Sequence, residues 1–321
     1  MRRAFAFVFF AVLAPARVFA AGPKIVFLPL WSPQAQFAGY FMAAEKGFYA
    51  GRGLDVALLA GGPDQPVNDW LKEGRADIAV LWLSEAVQLR AQGAPVVNVA
   101  QMSQRSALLL VAKKSSGVRR PEDLEGRKVG LWDSFQVQPR AYFKRQGLRV
   151  KPITQSHSVD LFLRGGVDAA SAMLYNEYHT ILNSGIDENE LTVFHMEGPG
   201  LDFPEDGIYV REELWTKRPK DVCRFVAASL DGWRYAFDHQ EETLDVVLRR
   251  MQKAGISADR VHQRWMLKKM RGLFTDREGR LLTGRLNFAD YRRVTETLRE
   301  EGLRGVPAPY EAFVQNCDDQ K

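Results

Sequence analysis

The stretch ADIAVLWLSEAVQLRAQGAPVVNVA, residues Ala76 to Ala100, decides the fold class. Ala76–Leu81 is a short apolar run suited to a buried strand, Ser84–Ala91 reads as a helix, and Val96–Ala100 is again a strand. A strand, a helix and a strand in succession make the unit of a parallel-rich sheet covered by helices. The chain upstream repeats the alternation. Lys24–Leu28 and Leu54–Leu58 read as strands, with helices over Phe37–Phe48 and Val67–Glu73.

Downstream the alternation continues, and a new unit begins after Leu108–Ala112. Leu108–Ala112, Lys128–Leu131 and Ser171–Leu174 read as strands, and Val137–Gln146 and Val159–Leu163 as helices. Gly207–Val210 is a strand that returns to the first lobe, after which the pattern is mainly helical over Val222–Asp238, Glu241–Ala254, Ala258–Lys269 and Phe288–Glu301. The expected organisation is therefore a discontinuous first lobe, residues 21–111 plus 207–321, and a second lobe of residues 112–206. The crossings are expected near Leu110 and Ile208. A chain that leaves one α/β lobe and returns makes two such crossings, and the cleft between the lobes is the expected ligand site.

With 321 residues, 46% of them apolar and 26% charged, the chain has globular composition and enough length for a large core. Its net charge of +5 falls to +2 without Arg2, Arg3 and Arg17, so a nucleic-acid partner is not expected. Those arginines lie in MRRAFAFVFFAVLAPARVFA, residues 1–20, where a basic start, an apolar core and small residues at Val18 and Ala20 read as a signal peptide cleaved after Ala20. No Cys follows the apolar core, so a lipid anchor is not expected, and export to the periplasm is. The two cysteines, Cys223 and Cys317, do not make a framework, and Cys223 beside Phe225 and Val226 reads as a buried free thiol. No metal-site spacing and no cofactor are expected.

The segment Trp31–Tyr49, followed by Gly53-Leu54-Asp55-Val56, resembles the opening of the NMT1/THI5-like solute-binding proteins. The resemblance continues at Gly74–Ala79, Pro121–Gly130, Met173–Tyr178 and Phe203–Gly207, in family order. It implies a type II periplasmic-binding-protein fold: two α/β lobes joined by two hinge crossings. It also implies a monomer that delivers a small molecule, such as a thiamine pyrimidine precursor, to an ABC permease in the inner membrane. The family includes fungal pyrimidine-synthesising enzymes with a Lys, and a His four residues later, just past the third strand. Here those positions are Leu81 and Glu85, and the enzymes' Cys-rich iron-binding run has no counterpart, so an enzyme is not expected. A sensory protein docking on a membrane receptor would use the same cleft.

An aromatic heterocycle needs flat apolar faces and a few orienting polar groups. Trp31, Trp82 and Trp132 each follow a strand, at the sheet edge where open α/β folds bind ligands. Tyr175, Asn176 and Glu177 follow another, and Glu177 can accept hydrogen bonds from an exocyclic amine and a ring N–H. Gln36 and Tyr40 open the Phe37–Phe48 helix as polar or stacking contacts, Ser84 either contacts ligand or caps its helix, and Asp133 stands beside Trp132. Members that bind thiamine precursors often place an Asn before the residue matching Trp31, where this chain has Leu30. His157, His179 and His195 are read as surface or core residues, and the basic stretch Arg260–Arg271 as a solvated face.

Overall fold

The computed structural model describes residues 24–196, 200–276, 278–281 and 284–317. The signal-like segment, residues 1–20, lies outside the described residues. No helix among them is long and apolar enough to cross a membrane.

The first lobe begins with β1 (Ile25–Leu28), α1 (Ala38–Glu45), β2 (Val56–Leu58), α2 (Val67–Lys72), β3 (Ile78–Trp82), α3 (Leu83–Ala91) and β4 (Val96–Gln101). The second holds β5 (Leu108–Lys113), β6 (Lys128–Leu131), α4 (Val137–Arg145), β7 (Lys151–Thr154), α5 (Asp160–Leu163), β8 (Ala169–Met173), α6 (Glu177–Asn183) and β9 (Leu191–His195). The chain returns through β10 (Asp206–Arg211). It continues with α7 (Glu212–Lys217), α8 (Pro219–Asp238), α9 (Gln240–Lys253), α10 (Arg260–Phe274), α11 (Phe288–Glu300) and α12 (Tyr310–Phe313).

Two five-stranded sheets result, ordered β2-β1-β3-β10-β4 and β7-β6-β8-β5-β9. In each, one strand opposes its neighbours: β10 is antiparallel to β3 and β4, and β5 to β8 and β9. Both are the first strand after a crossing. They start at the cleft, whereas β1, β3, β6 and β8 end there. This is the expected type II architecture, but one assignment is corrected. Leu108–Ala112, placed in the first lobe on sequence, pairs with Ala169–Met173 in the second sheet. A strand buried on both faces is apolar throughout, so its composition does not say which sheet it joins. Leu110 and Ile208 are consequently strand interiors, and the crossings run through residues 102–107 and 201–205.

The crossings are tied to each other. Glu205 Oε1 accepts from the backbone N–H of Ala107 at 2.6 Å and of Leu108 at 3.1 Å, and from Ser106 Oγ at 2.9 Å. Asp202 Oδ1 accepts the Ser106 N–H at 2.7 Å, and the Met102 N–H donates to the Asp206 carbonyl at 3.0 Å. Buried backbone donors need such partners where a strand has not yet begun.

The largest apolar buttress is α8, whose Val222, Phe225, Val226, Ser229, Trp233 and Phe237 recur at helical spacing on its buried face. It crosses α1 at two glycines, because a Cβ on Gly39 would lie inside the Trp233 ring and one on Gly232 inside the Gly39 carbonyl oxygen. The free-thiol reading is overturned: Cys223 of α8 forms a disulfide with Cys317, at a Cα–Cα distance of 5.3 Å. The tail reaches it because Val314 bridges Asn98 of β4. Neighbours along a helix do not reveal which distant segment passes over it. Strands β7 and β9 and helix α6 have no counterpart in the sequence reading. Both strands are sheet edges of mixed polarity, and β7 carries Pro152, which an edge tolerates.

Candidate ligand-binding cleft

The C-terminal ends of β1, β3, β6 and β8 bring side chains from both lobes around one cavity of about 100 Å³. Leu30 and Trp31 extend from β1, and Trp82 ends β3. Trp132 follows β6, and Tyr175, Asn176 and Glu177 follow β8. Trp31 is held by a tight turn behind it: Gly61, at φ +75°, lies so close to the Trp31 carbonyl that no Cβ fits. The Trp132 indole N–H donates to the Ser156 carbonyl at 3.1 Å, which fixes its ring. Two aromatic contacts bridge the lobes, Trp31 to His157 at 4.4 Å edge-on and Trp82 to Phe135 at 4.3 Å.

The cavity opens into a larger compartment of about 610 Å³, shared with Trp31, Trp132 and His157 and lined also by Asn68, Leu81, Glu85 and Asp133. A third groove of about 380 Å³ lies on the far side of Asn176 and Glu177 against Ser158, Thr180 and Asn183. Among the described residues lining the three compartments there is no lysine or arginine.

Carboxylates, by contrast, surround the cleft. Burial pushes the Glu177 carboxyl up to about 7, against the pull of the Met173 N–H and the Asn176 amide. Those groups donate to Oε2 at 2.9 Å and to Oε1 at 2.7 Å. Asp206, behind the cavity wall, is likewise pushed to about 7 by burial. Its Oδ2 accepts from Gln36 Nε2 at 2.9 Å, while Oδ1 and the facing Trp82 Nε1 complete no hydrogen bond. Gln36 in turn accepts from Gln34 Nε2 at 2.6 Å. Burial, then the neighbouring Asp206, holds Glu205 well above the ordinary range. Glu85 rises to about 7 for want of water, with Asn68 Nδ2 at 3.4 Å as its donor.

Of the ten residues singled out on sequence, Trp31, Gln36, Trp82, Trp132, Tyr175, Asn176 and Glu177 line the inner cavity, and Asp133 lines the outer compartment. Two do not reach the cleft. Tyr40 is core: its ring packs at 4.9 Å from Phe27 and 5.8 Å from Trp233, because the helix turns that face onto α8. Ser84 is the second residue of α3 rather than its cap, and it does not line the cavity. His157, read as surface or core, lines all three compartments. Gln34, Phe135 and Asp206 were missed. Adjacent acids before an apolar strand are a signal for Asp206, and its place three residues past Trp132 is a signal for Phe135.

Among the described residues no group of three His, Cys, Asp or Glu is placed to hold a metal ion. The arrangement can grip a flat ring between aromatic faces and accept hydrogen bonds from it.

The chain is similar to several known proteins. The chain is 26% identical over 302 residues to the riboflavin-binding protein RibY of Chloroflexus aurantiacus, spanning 88% of this chain and 82% of that one. It is 22% identical over 234 residues to a formylaminopyrimidine-binding protein of Halalkalibacterium halodurans, covering 70% and 69%. Identity of 27% over 133 residues links it to the 4-amino-5-hydroxymethyl-2-methylpyrimidine phosphate synthase THI5 of Saccharomyces cerevisiae, 41% of this chain and 39% of that one. Among solved structures, the periplasmic aliphatic sulphonate binding protein SsuA of Escherichia coli superposes with a TM-score of 0.71 over 92% of each chain, at 15% identity, a likeness of fold. The ends of β3, β6 and β8, the returning strand β10 and the motifs around Gln36 and Asp206 fall within residues 34–243, which match the profile of the NMT1/THI5 like family, and the chain belongs to that family.

Proposed function

We propose that this protein is an exported solute-binding protein that carries a small aromatic heterocycle bearing N–H donors to an ABC permease. One observation carries the reading: aromatic side chains from both lobes surround a cavity that is lined by the buried Glu177 carboxylate, backed by Asp206, and by no lysine or arginine among the described residues. A sulfonate or phosphate would meet uncompensated like charge there. A flat ring with amine or imide N–H groups would stack on the tryptophans and donate into the wall. The names of the riboflavin- and formylaminopyrimidine-binding relatives support the same class. Leu30, in the inner wall where precursor-binding members resembling this chain carry an Asn, removes one amide partner and argues for a ligand that does not need it.

Binding rather than catalysis is favoured at Leu81 and Glu85. Both line the outer compartment at the positions where the resemblance places the Lys and His of the synthases, and neither offers an amine nucleophile. The basic, apolar start of the chain supports export to the periplasm.

Calorimetry on residues 21–321 tests the ligand class with riboflavin, 4-amino-5-hydroxymethyl-2-methylpyrimidine and an aliphatic sulfonate. Saturable binding of one of the first two, with none of the sulfonate, is expected. Tight sulfonate binding would overturn the proposal.

A further inference from the structure

Helix α10 touches both lobes at the cleft. On one face Gln263 accepts the Ala35 N–H at 2.7 Å and the Met266 sulfur accepts the Gln36 N–H at 3.2 Å, beneath the first-lobe turn that carries Gln36. Met266, Met270 and Phe274 of the same helix are buried in the first-lobe core. On its other face, His262 and Trp265 reach the second lobe. The Trp265 indole N–H donates to the Leu174 carbonyl at 3.0 Å, and His262 Nε2 lies 2.9 Å from Asn176 Oδ1. His179 of α6 stacks on Trp265 at 4.6 Å and sets its Nδ1 2.9 Å from His262 Nδ1.

With Glu177 ionised, donor and acceptor counting gives this cluster one direction. The Asn176 amide nitrogen donates to Glu177 Oε1 at 2.7 Å, so its oxygen faces His262. An amide oxygen only accepts, so His262 carries its proton on Nε2. Neutral His262 then offers Nδ1 as an acceptor, and His179 donates to it from Nδ1. The Asn183 amide lies 3.3 Å from the same His179 nitrogen and meets that N–H with its oxygen, amide O and N being interchangeable by a flip. The bonds therefore run from His179 through His262 and Asn176 to Glu177. Burial lowers both imidazole pKa values, which keeps the rings neutral. The charged groups acting on the pair are Asp259 at the start of α10, on both rings, and Lys269, on His179.

We propose that His262 is a positioning residue for the cleft: held in a first-lobe helix, it locks the Asn176 amide and through it the Glu177 carboxylate, so that the second-lobe wall presents an acceptor to the ligand. Because the donor and its acceptor belong to different lobes, this wall is complete only when α10 and the β8–α6 turn meet. The ligand part of the inference rests on the function proposed above; the locking of Glu177 does not.

The test has one arm that needs no ligand. NMR titration of the Glu177 carboxyl in His262→Ala should show its pKa raised by about half a unit or more, because a freed Asn176 stops donating to it. His262→Gln, whose amide N–H can take the place of Nε2–H, should restore the wild-type value. Nitrogen NMR of the wild-type imidazoles should find His262 protonated on Nε2, a reading independent of how the variants fold. An unchanged Glu177 titration in folded His262→Ala, or an Nδ1–H tautomer for His262, would overturn the proposal. With the aminopyrimidine as probe, His262→Ala should bind about tenfold more weakly and His262→Gln within about threefold of wild type. Equal affinity of His262→Ala and wild type also overturns it. If wild type binds neither the aminopyrimidine nor riboflavin, the ligand reading falls, and the Glu177 titration still decides the role of His262.

Discussion

The two lobes share a strand plan but hold their cleft carboxylates differently. In the second lobe Glu177 has both oxygens engaged, by the Met173 N–H and by Asn176. In the first lobe Asp206 has one oxygen on Gln36 and the other unpartnered near Trp82. The frames differ as well. The first lobe is wrapped by α8 and its successors and closed by the Cys223–Cys317 disulfide. The second also has a five-stranded sheet, without that helical wrapping, and an outer cluster built on Val111, Phe162, Ala172 and Ile181. The difference suggests that Glu177 is a finished acceptor and Asp206 a reserve one.

The disulfide offers the largest test. It closes a separation of 94 residues. Cys223→Ser with Cys317→Ser should cost about 2–5 kcal/mol in urea unfolding. A loss confined to the tail, leaving the main transition in place, would show that the bridge does not brace the first lobe.

Comparing the two acids directly comes next. Glu177→Gln places an amide N–H₂ where Met173 or Asn176 already donates, and should cost about 1–3 kcal/mol of stability as well as affinity for an amine-bearing ligand. Asp206→Asn can keep its oxygen toward Gln36 and should cost less. Thermal melts with calorimetry rank the pair, and the reverse order would break the contrast.

The pH dependence sharpens it further. Glu177 and Asp206 both titrate near 7 when folded, against 4.5 and 3.8 ordinarily. The folded protein thus binds more protons than the unfolded chain across that interval, so stability falls as pH rises from about 4 to 7 and levels above it. Affinity for N–H donors should rise over the upper part of the same range, as the carboxylates ionise. A fall in unfolding free energy over that interval, set against rising affinity, is expected. Glu177→Gln and Asp206→Asn should each remove part of the stability slope. Stability and affinity moving together would count against the assignment.

Smallest is the loss of one stacking face. Trp31→Ala should weaken binding of every flat ligand by about 0.5–1.5 kcal/mol beyond the lost area. It should leave the melt near wild type, because Trp31 is only half-buried. Selective loss for one ligand would mean that Trp31 recognises more than a ring face.

Most of the site was legible because strand ends are. An apolar run followed by Trp31, Trp82, Trp132 or Tyr175 announces both a strand and the residue at its edge, and those four do line the cavity. Tyr40 failed because a helix has two sides and the sequence does not say which one α8 covers. His262 was invisible because it enters from a helix far along the chain from the strand ends that build the cleft.

By itself the sequence determined the alternation of strands and helices, the two crossings and the aromatic side chains offered at strand ends, because burial periodicity and local turn chemistry are properties of consecutive residues. Only the tertiary structure decided which sheet β5 joins, that Cys223 meets Cys317, and that His262 of α10 comes to lie against Asn176. Each of these depends on contacts between residues far apart along the chain, such as the 86 positions between Asn176 and His262. Hydrophobic pattern says that such segments are buried, but it carries no record of what they are buried against.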